Sequence, residues 1–451
     1  MFTYNIRLEK NDDTPLYRQL ADKIQALVAK GEILPDTKLP SIRQMAQNLD
    51  VNNTTVINAY KYLERKMAVY SVIGSGTFIS KPPTRLPQKA EVVAQGYINF
   101  ADTTTDGTLF PVTAFRRAFD AVLERDGGQA FGYHDAQGYK PLRESFSKII
   151  EGVSPDCIQV ISDTHQAIET LADTLLGSGD VVFVEELTPQ GAVAAFLSRQ
   201  AKIVHMPMAG SGLDFEALES LIKKHKPKLI YVMPHFQTPT AISYSETDKK
   251  RLLELAGAAN TYIIEVDLFS DFYYDGIKRT PLKTLDEADK VIYVKSFSKT
   301  LMPGMGFIAS PIEIAADIAP ADLATSGYIQ RGFDLFLRSG AYDLHLANMR
   351  TVYGRRYQKI IGVINTYLAN LADVILPAGG LSLWIKPHNK IADYIDKFLQ
   401  RKVVVSPSDL YVGSGEGFRV SFAAVNEEQI NEGIGAIAAV LNGEELETSQ
   451  E

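Results

Sequence analysis

The chain has 451 residues and a net charge of −8, from 46 Lys and Arg against 54 Asp and Glu. Its composition, 45% hydrophobic and 22% charged, excludes intrinsic disorder. The single cysteine, Cys157, excludes an intrachain disulfide and a cysteine-built zinc site, and no metal site is predicted. No signal-peptide core and no apolar run of about 18 residues occurs, which predicts a soluble, cytoplasmic protein without a membrane partner.

Charge is distributed unevenly along the chain. Residues 1–90 carry 13 Lys and Arg against 8 Asp and Glu, so the remainder has a net charge of −13. A basic head on an acidic body predicts two parts with different partners. A proline-rich stretch with little apolar periodicity, residues 81–97, predicts a linker between domains at 1–80 and 98–445.

The first segment has the pattern of three short helices followed by a hairpin. Apolar spacing predicts a helix over residues 15–30, Ser41 and Gln44 form a capping box for a second helix, and a third begins near Asn53. Residues 72–78 are typical of a glycine-containing hairpin. This pattern fits a DNA-binding helix-turn-helix, and it also fits a plain three-helix domain with a polar surface.

Three strings of this segment decide between those alternatives. Leu-Pro-Ser-x-Arg, Val-x-x-x-Thr-Val and Gly-x-Gly-Thr-Phe stand at residues 39–43, 51–56 and 74–78, and together they resemble the winged helix of the GntR family. The resemblance implies binding to a double-stranded DNA operator. The residues that it places near DNA are Arg43, Asn52, Asn53, Thr54, Thr55, Gly74 and Gly76.

After residue 97, short apolar runs alternate with helical stretches. The strand candidates are VVFVEE (181–186), LIYVMP (229–234), TYIIEVD (261–267) and VIYVKS (291–296). This alternation predicts an α/β domain whose mostly parallel sheet has helices on both faces. A long helical pattern begins near Tyr342, and a small mixed segment with strand candidates at 379–384 and 417–422 follows it.

The body also contains a lysine in a setting that suits covalent chemistry. Lys299 stands in Ser-Phe-Ser-Lys-Thr at the end of an apolar strand, where an amine can form a Schiff base with a carbonyl cofactor; the alternative is a solvated loop lysine. Residues 162–167 join a strand to a helix, whose first N–H groups could hold a phosphate. A lysine for the aldehyde and an acid for the ring nitrogen are what pyridoxal 5′-phosphate (PLP) needs as an electron sink.

In this order, residues 98–445 resemble a fold-type I aminotransferase, and the whole chain resembles the MocR subfamily of GntR regulators. The resemblance implies PLP as cofactor, PLP or an amino acid as effector, and a homodimer. By resemblance, Lys299 would carry the cofactor covalently and Arg419 would bind the α-carboxylate of an amino acid. The other cofactor positions that it implies are Ser296, Thr164, His165, His235 and Asp267.

Several positions depart from the aminotransferase pattern. The family's glycine before the phosphate-binding turn is Asp163 here, and the arginine usually found after Pro303-Gly304 is missing. Val266 occupies the position where the family has the acid that pairs with the cofactor's ring nitrogen. Asp267 could serve as that acid only with a one-residue shift, and in a strand such a shift points the side chain in the opposite direction. The remaining departures are Pro189, where the family has the aromatic residue that stacks on the cofactor; Thr238 and Ala241, in place of the asparagine and glycine of the Asn-Pro-Thr-Gly string; and Leu268, in place of the family's tyrosine.

Three functions remain open from the sequence. The first is a regulator whose body senses PLP, an amino acid or their adduct through Lys299. The second is a working PLP-dependent aminotransferase with a DNA-binding head, and the third is a regulator whose degenerate body binds another ligand or serves as a dimer scaffold. The presence of Lys299 and Arg419 favours the first over the third, and the departures argue against fast transamination.

Overall fold

The structure is a computed structural model, which describes residues 6–9, 14–30, 32–34, 37–66, 68–72, 76–80, 96–132, 134–209, 212–318, 326–389, 394–413 and 415–444. The chain forms two compact units, residues 1–85 and 86–451, named the head and the body below. Most of the predicted linker, and Gly74 of the predicted wing, lie outside the described residues. Within the described ranges, no helix is long and apolar enough to cross a membrane.

The described part of the head consists of three helices and a hairpin. Its elements are α1 Leu16–Ala29, α2 Ile42–Leu49, α3 Asn53–Arg65, β1 Val69–Val72 and β2 Gly76–Ile79. Helix α1 packs against α3 around buried apolar side chains that include Leu20, Ile24, Val56 and Leu63. The two strands pair antiparallel. The predicted helices and hairpin are therefore confirmed.

Local hydrogen bonds explain where α2 and α3 begin. The Ser41 hydroxyl accepts from the Gln44 N–H at 3.3 Å, and the Gln44 side chain accepts from the Ser41 N–H at 3.4 Å, which is the predicted capping box. Asp50 adopts φ +48° after α2, so the chain turns sharply there. The Tyr60 hydroxyl donates to the Pro40 carbonyl at 2.8 Å, which ties α3 to the start of α2.

The body alternates helices and strands as predicted. Its helices are α4 Val112–Asp126, α5 Lys140–Ser147, α6 Thr164–Leu175, α7 Gln190–Ser198, α8 Phe215–His225, α9 Glu246–Ala258, α10 Ile312–Ile318, α11 Gly327–Arg338, α12 Ala341–Tyr367, α13 Tyr394–Gln400 and α14 Glu427–Leu441. Its strands are β3 Ile98–Asn99, β4 Ile158–Ile161, β5 Val181–Glu185, β6 Thr188–Pro189, β7 Lys202–Met206, β8 Met208–Ala209, β9 Gly212–Leu213, β10 Leu229–Val232, β11 Tyr262–Asp267, β12 Val291–Ser296, β13 Gly306–Ala309, β14 Ala372–Ile375, β15 Ser382–Pro387, β16 Val403–Val404, β17 Ser406–Pro407, β18 Tyr411–Val412 and β19 Phe418–Ser421.

The main sheet positions the candidate site. Among the described residues it has seven strands in the order β4-β13-β12-β11-β10-β5-β7, and only β13 runs antiparallel to its neighbours. Helices α6 and α7 contribute to the apolar core on one face, and α8 and α9 to that on the other. The carboxyl ends of β4, β5, β10, β11 and β12 therefore meet at one edge, where ligands bind in open α/β sheets.

A smaller antiparallel sheet completes the body. Its strand order is β14-β15-β19-β17, and it shares an apolar core with α12 and α14 through residues such as Leu383, Val420, Ile360 and Ile434. Strand β3 pairs with β16, so the first strand of the body is held by its C-terminal part. This arrangement brings the segment after β3 close to β19, where Arg419 lies.

Candidate functional site

The first turn of α3 presents the polar face that was predicted to meet DNA. Asn52 caps the helix, because its Oδ1 accepts from the Thr55 N–H at 2.7 Å and from the Thr55 hydroxyl at 2.8 Å. Asn53 and Thr54 are exposed, as is Arg43 at the start of α2. The cap fixes the direction in which this polar surface points from the head.

The hairpin contributes one described glycine to the predicted DNA surface. Gly76 begins β2 with φ +127°, a conformation that favours glycine, and a Cβ built there would lie 2.9 Å from the Lys38 Cε. A side chain at this position would therefore require both strain and movement of Lys38. Gly76 is exposed, so its bare backbone remains open to a close approach by a ligand.

Lys299 lies in the turn that follows β12, at the carboxyl edge of the main sheet. Its Nζ donates to the Thr103 hydroxyl at 2.7 Å. A cavity of about 190 Å³ adjoins it, lined among others by Thr104, Asp106, Ser298 and His345. The lysine is therefore half-buried beside a polar cavity, which fits a role in binding better than a solvated loop lysine does.

Arg419 lies on β19 with its side chain turned toward the same segment. Its Nη2 donates to the Ala101 carbonyl at 2.7 Å, and only 9% of the residue is exposed. Its Nε is buried without a hydrogen-bond partner among the described residues. Ala101 and Thr103 are two residues apart, so the structure brings Lys299 and Arg419 onto one short stretch of backbone.

The start of α6 was predicted to hold a phosphate through the backbone around Thr164 and His165. In the structure the Asp163 carboxylate caps this helix, accepting from the N–H of His165 at 2.7 Å and from that of Gln166 at 3.1 Å. The His165 side chain lies 3.4 Å from Glu169. The N–H groups of His165 and Gln166 are thus already bonded to an acidic side chain of the protein itself.

Ser296 ends β12 on the same edge as the start of α6. Gly306 is paired with both Ser296 and Ile161, so these two strand ends are separated by two strand spacings, about 10 Å. The Ser296 hydroxyl accepts from the Ser298 N–H at 3.2 Å and bonds the Ser298 hydroxyl at 3.0 Å. Its contacts therefore shape the loop that carries Lys299.

His235 follows β10 and is buried, with 2% of its surface exposed. One ring nitrogen, Nε2, lies 3.0 Å from the Thr280 carbonyl, while Nδ1 has no partner among the described residues. Desolvation lowers the pKa of His235 to about 4. The imidazole is therefore neutral at pH 7.

Asp267 forms a buried ion pair with Lys295. Its Oδ2 lies 3.0 Å from the Lys295 Nζ and accepts from the hydroxyls of Tyr293 at 2.6 Å and Ser270 at 2.5 Å. Burial by itself would raise the pKa of Asp267, but the Lys295 ammonium, His235 and the hydrogen bonds from Ser270 and Tyr293 together outweigh it and hold that pKa below its usual value. Lys295 also lies 2.9 Å from Asp271, so it bridges two carboxylates.

The direction of Asp267 follows from the two-residue period of a strand. Val266 packs with Ile264 and Val294 in the apolar cluster that includes the inner face of α6, and Asp267 faces the other way, toward Tyr293 and Lys295. The carboxylate therefore lies on the sheet face opposite to α6. Its predicted role at a cofactor ring gains no support from this placement.

The comparisons with known proteins agree with this architecture. Residues 98–437 match the model of the family aminotransferase class I and II, and residues 16–79 match that of bacterial regulatory proteins, gntR family. The chain belongs to the aminotransferase class I and II family. In this member of the family a GntR-type helix-turn-helix precedes the aminotransferase-like body, which is the MocR arrangement and identifies a DNA-binding transcriptional regulator.

Similar proteins share either the whole arrangement or the body. The uncharacterized HTH-type transcriptional regulator YdfD of Bacillus subtilis is 27% identical over 94% of this chain and 96% of its own length. The probable rhizopine catabolism regulatory protein MocR of Rhizobium meliloti is 27% identical, over 83% and 82%. The α-aminoadipate aminotransferase LysN of Thermus thermophilus, solved with N-(5′-phosphopyridoxyl)-L-leucine, matches with a TM-score of 0.72 at 26% identity, covering 79% of this chain and 95% of LysN.

Aminotransferases of this family use PLP, and the residues present here fit that group poorly. The N–H groups of His165 and Gln166 are bonded to Asp163, and Met305 stands, 1% exposed, in the stretch where the family usually carries an arginine. The position at which the family has an acid for the cofactor's ring nitrogen is occupied by the buried Val266. Lys299 is retained, but among the described residues none is seen to replace the lost phosphate and ring contacts.

Sequence reasoning missed the groups that hold these residues in place. Thr103 and Ala101, the partners of Lys299 and Arg419, belong to a short polar segment without a motif. Lys295 had a signal, because a charged residue inside the apolar run VIYVKS requires a buried partner. Glu185 had the same signal at the end of β5; desolvation raises its pKa to about 7, and the Tyr244 hydroxyl donates to it at 2.6 Å.

Proposed function

We propose that this regulator senses an amino-acid-type ligand at the carboxyl edge of the main sheet, through Arg419 and Lys299, and does not catalyse transamination. The observation that carries the proposal is the Arg419 guanidinium, which is 9% exposed and has a buried Nε without a partner among the described residues. A buried donor without an acceptor is costly, by about 1–3 kcal/mol. A ligand carboxylate would supply that acceptor in a bidentate geometry.

The position of Lys299 supports the same ligand class. Its amine contacts Thr103, two residues from the carbonyl that Arg419 holds, and it borders the polar cavity. A ligand with a carboxylate at Arg419 can thus extend toward the Lys299 amine and the hydroxyls of Thr104 and Ser298. Amino acids whose side chain carries a second acceptor, and related acids, suit this distribution of polar groups.

The residue at the position of the acid that contacts the cofactor's ring nitrogen supports the proposal that the body does not transaminate. Transamination needs a protonated ring to withdraw electrons, and in this chain that position is Val266, within the apolar core. Asp267 is held by Lys295 on the opposite sheet face. The alternative function, a working aminotransferase, predicts keto-acid formation on the order of 1 per second or faster.

The DNA-binding side of the proposal rests on the polar first turn of α3 with its Asn52 cap. Winged heads of this size read one half-site each, so we propose that a homodimer binds two half-sites of one operator in the cytoplasm. Sedimentation of the purified chain with and without operator DNA would test the stoichiometry. A single chain per operator would contradict the dimer.

The ligand proposal is tested by titrating the purified protein with a panel of free amino acids while following operator binding. Arg419→Lys keeps the charge but removes the planar fork, and it should weaken the response to the active amino acid at least tenfold. Arg401→Lys is the matched control, because Arg401 bonds the Glu444 carbonyl at the surface of the same body. If no amino acid changes operator binding, or if both variants respond alike, the proposal is wrong.

A further inference from the structure

We propose that the Asp163 carboxylate takes the place of a ligand phosphate at the start of α6, so that the body binds its effector without PLP. This inference rests on the proposed function and deepens it, because it restricts the effector to phosphate-free amino acids and related acids. Three features support it, one for each step below: the occupied N–H groups, the local charge, and the chemistry that remains at Lys299.

The occupied N–H groups are the first step. A helix begins with N–H groups that lack partners within the helix, and these are what a phosphate would bind. Here His165 and Gln166 donate theirs to Asp163, at 2.7 and 3.1 Å. A phosphate would have to displace the Asp163 carboxylate, which belongs to the same chain and therefore competes at a high effective concentration.

The local charge is the second step. A phosphate monoester carries about −1.5 to −2 at pH 7, and it would lie beside Asp163 and within the first turns of a helix that also carries Glu169, 3.4 Å from His165. The positive end of the helix dipole is already matched by Asp163. No positive charge comes from residue 305, because Met305 packs in the apolar cluster with Phe297 and Phe307.

The geometry of the sheet edge explains why the missing arginine near residue 305 is important for phosphate binding. Gly306 is paired with Ile161 on one side and Ser296 on the other. The residue before it therefore starts between the end of β4, which leads to Asp163, and the end of β12, which leads to Lys299. A basic side chain there could have neutralised a phosphate, and a buried methionine cannot.

The chemistry at Lys299 is the third step and provides the test. Its amine and an aldehyde lose one water to form a C=N bond, and added borohydride then supplies the hydride that fixes it as a secondary amine. Pyridoxal has the ring and aldehyde of PLP but lacks the phosphate. The ratio of Lys299 labelling by PLP to labelling by pyridoxal therefore measures what the phosphate contributes.

The experiment uses the full-length protein, Asp163→Gly and Asp214→Gly, each titrated with PLP and with pyridoxal, reduced, and analysed by peptide mass spectrometry for modified Lys299. Asp214→Gly is the matched control, because Asp214 caps α8 by accepting from the Ala217 N–H at 3.0 Å. We expect a PLP-to-pyridoxal ratio near one in the native protein and in Asp214→Gly. In Asp163→Gly the ratio should rise at least tenfold.

A native protein that prefers PLP tenfold or more would overturn the proposal, and so would a folded Asp163→Gly with the native ratio. If Asp163→Gly does not fold, Asp163→Asn replaces it, since asparagine also caps helices but carries no charge. The PLP-to-pyridoxal ratio of Asp163→Asn should rise at least threefold. An unchanged ratio overturns the proposal. The labelling ratio involves neither operator DNA nor Arg419. Failure of amino-acid sensing would therefore be seen separately, in the operator titration.

Discussion

Replacing Lys295 by methionine should destabilise the body by about 3–5 kcal/mol, because it removes one partner of a buried ion pair and leaves the other charge buried. Lys295 is 3% exposed, and its Nζ lies 3.0 Å from Asp267 and 2.9 Å from Asp271. In the variant, Asp267 keeps hydrogen bonds from Ser270 and Tyr293 but loses the adjacent ammonium. Neutral donors offset only part of the desolvation of a carboxylate.

The assay is urea unfolding followed by tryptophan fluorescence. The sequence has one tryptophan, Trp384 on β15, so the signal reports the body and not the head. Lys223→Met is the matched control, because Lys223 pairs with Glu219 on an exposed helix surface, and it should show no measurable change. Adding Asp267→Asn to Lys295→Met should recover part of the lost stability, since it neutralises one of the two carboxylates that lose the ammonium.

The pH dependence gives the same prediction a second check. The pKa of Asp267 is held below its usual value in the folded protein, so its contribution to stability is present above the unfolded carboxyl pKa of about 3.9 and is lost as the pH falls. In Lys295→Met the buried Asp267 lacks the ammonium and takes up a proton more readily, so the stability difference between the native protein and the variant should shrink as the pH falls. A difference under about 1 kcal/mol at pH 7, or one that does not change with pH, would refute the reasoning.

Three other substitutions, one of them with a control substitution, test the head and the buried histidine. Asn52→Ala should cost the head about 1 kcal/mol in thermal unfolding, since it removes the cap on Thr55, whereas Asn53→Ala should leave its stability unchanged. Arg43→Ala should weaken operator binding and reduce the magnitude of the slope of log binding constant against log salt concentration by about 1. An unchanged slope means that Arg43 contacts no phosphate. The pKa of His235 is lowered to about 4, so the stability gained by keeping it neutral is present above pH 6.5 and is lost as the pH falls toward 4, by about 3 kcal/mol. His235→Phe should flatten urea midpoints between pH 7 and 4.5, and parallel profiles would contradict this.

The sequence predicted those parts of the fold that depend on local patterns. Four apolar runs became β5, β10, β11 and β12, because buried parallel strands need continuous apolar residues. The capping box at Ser41 was confirmed because both of its members lie within one helical turn. Signals of this kind involve neighbours in the chain, which is why one sequence is enough to read them.

The contacts at the candidate site could not be predicted, since they join distant parts of the chain. Lys299 and Thr103 are 196 positions apart, and Arg419 and Ala101 are 318 apart. The pairing of Asp267 with Lys295 depends on the register of β11 against β12, which no local pattern reveals. The unfavourable charge of Asp163 was visible in the sequence, whereas its hydrogen bonds to the helix required coordinates.

The stretch from Ala101 to Thr103 has a consequence for communication between ligand and operator. It accepts one hydrogen bond from Arg419 and one from Lys299, and it follows β3, the first strand after the segment that leads from the head. A ligand that bonds the Lys299 amine, or that engages Arg419 Nη2 together with the unpartnered Nε, competes with this stretch for those donors. We expect ligand binding to loosen the anchoring of the chain that carries the head. By thermodynamic reciprocity, operator DNA should then change ligand affinity by the same factor as the ligand changes operator affinity.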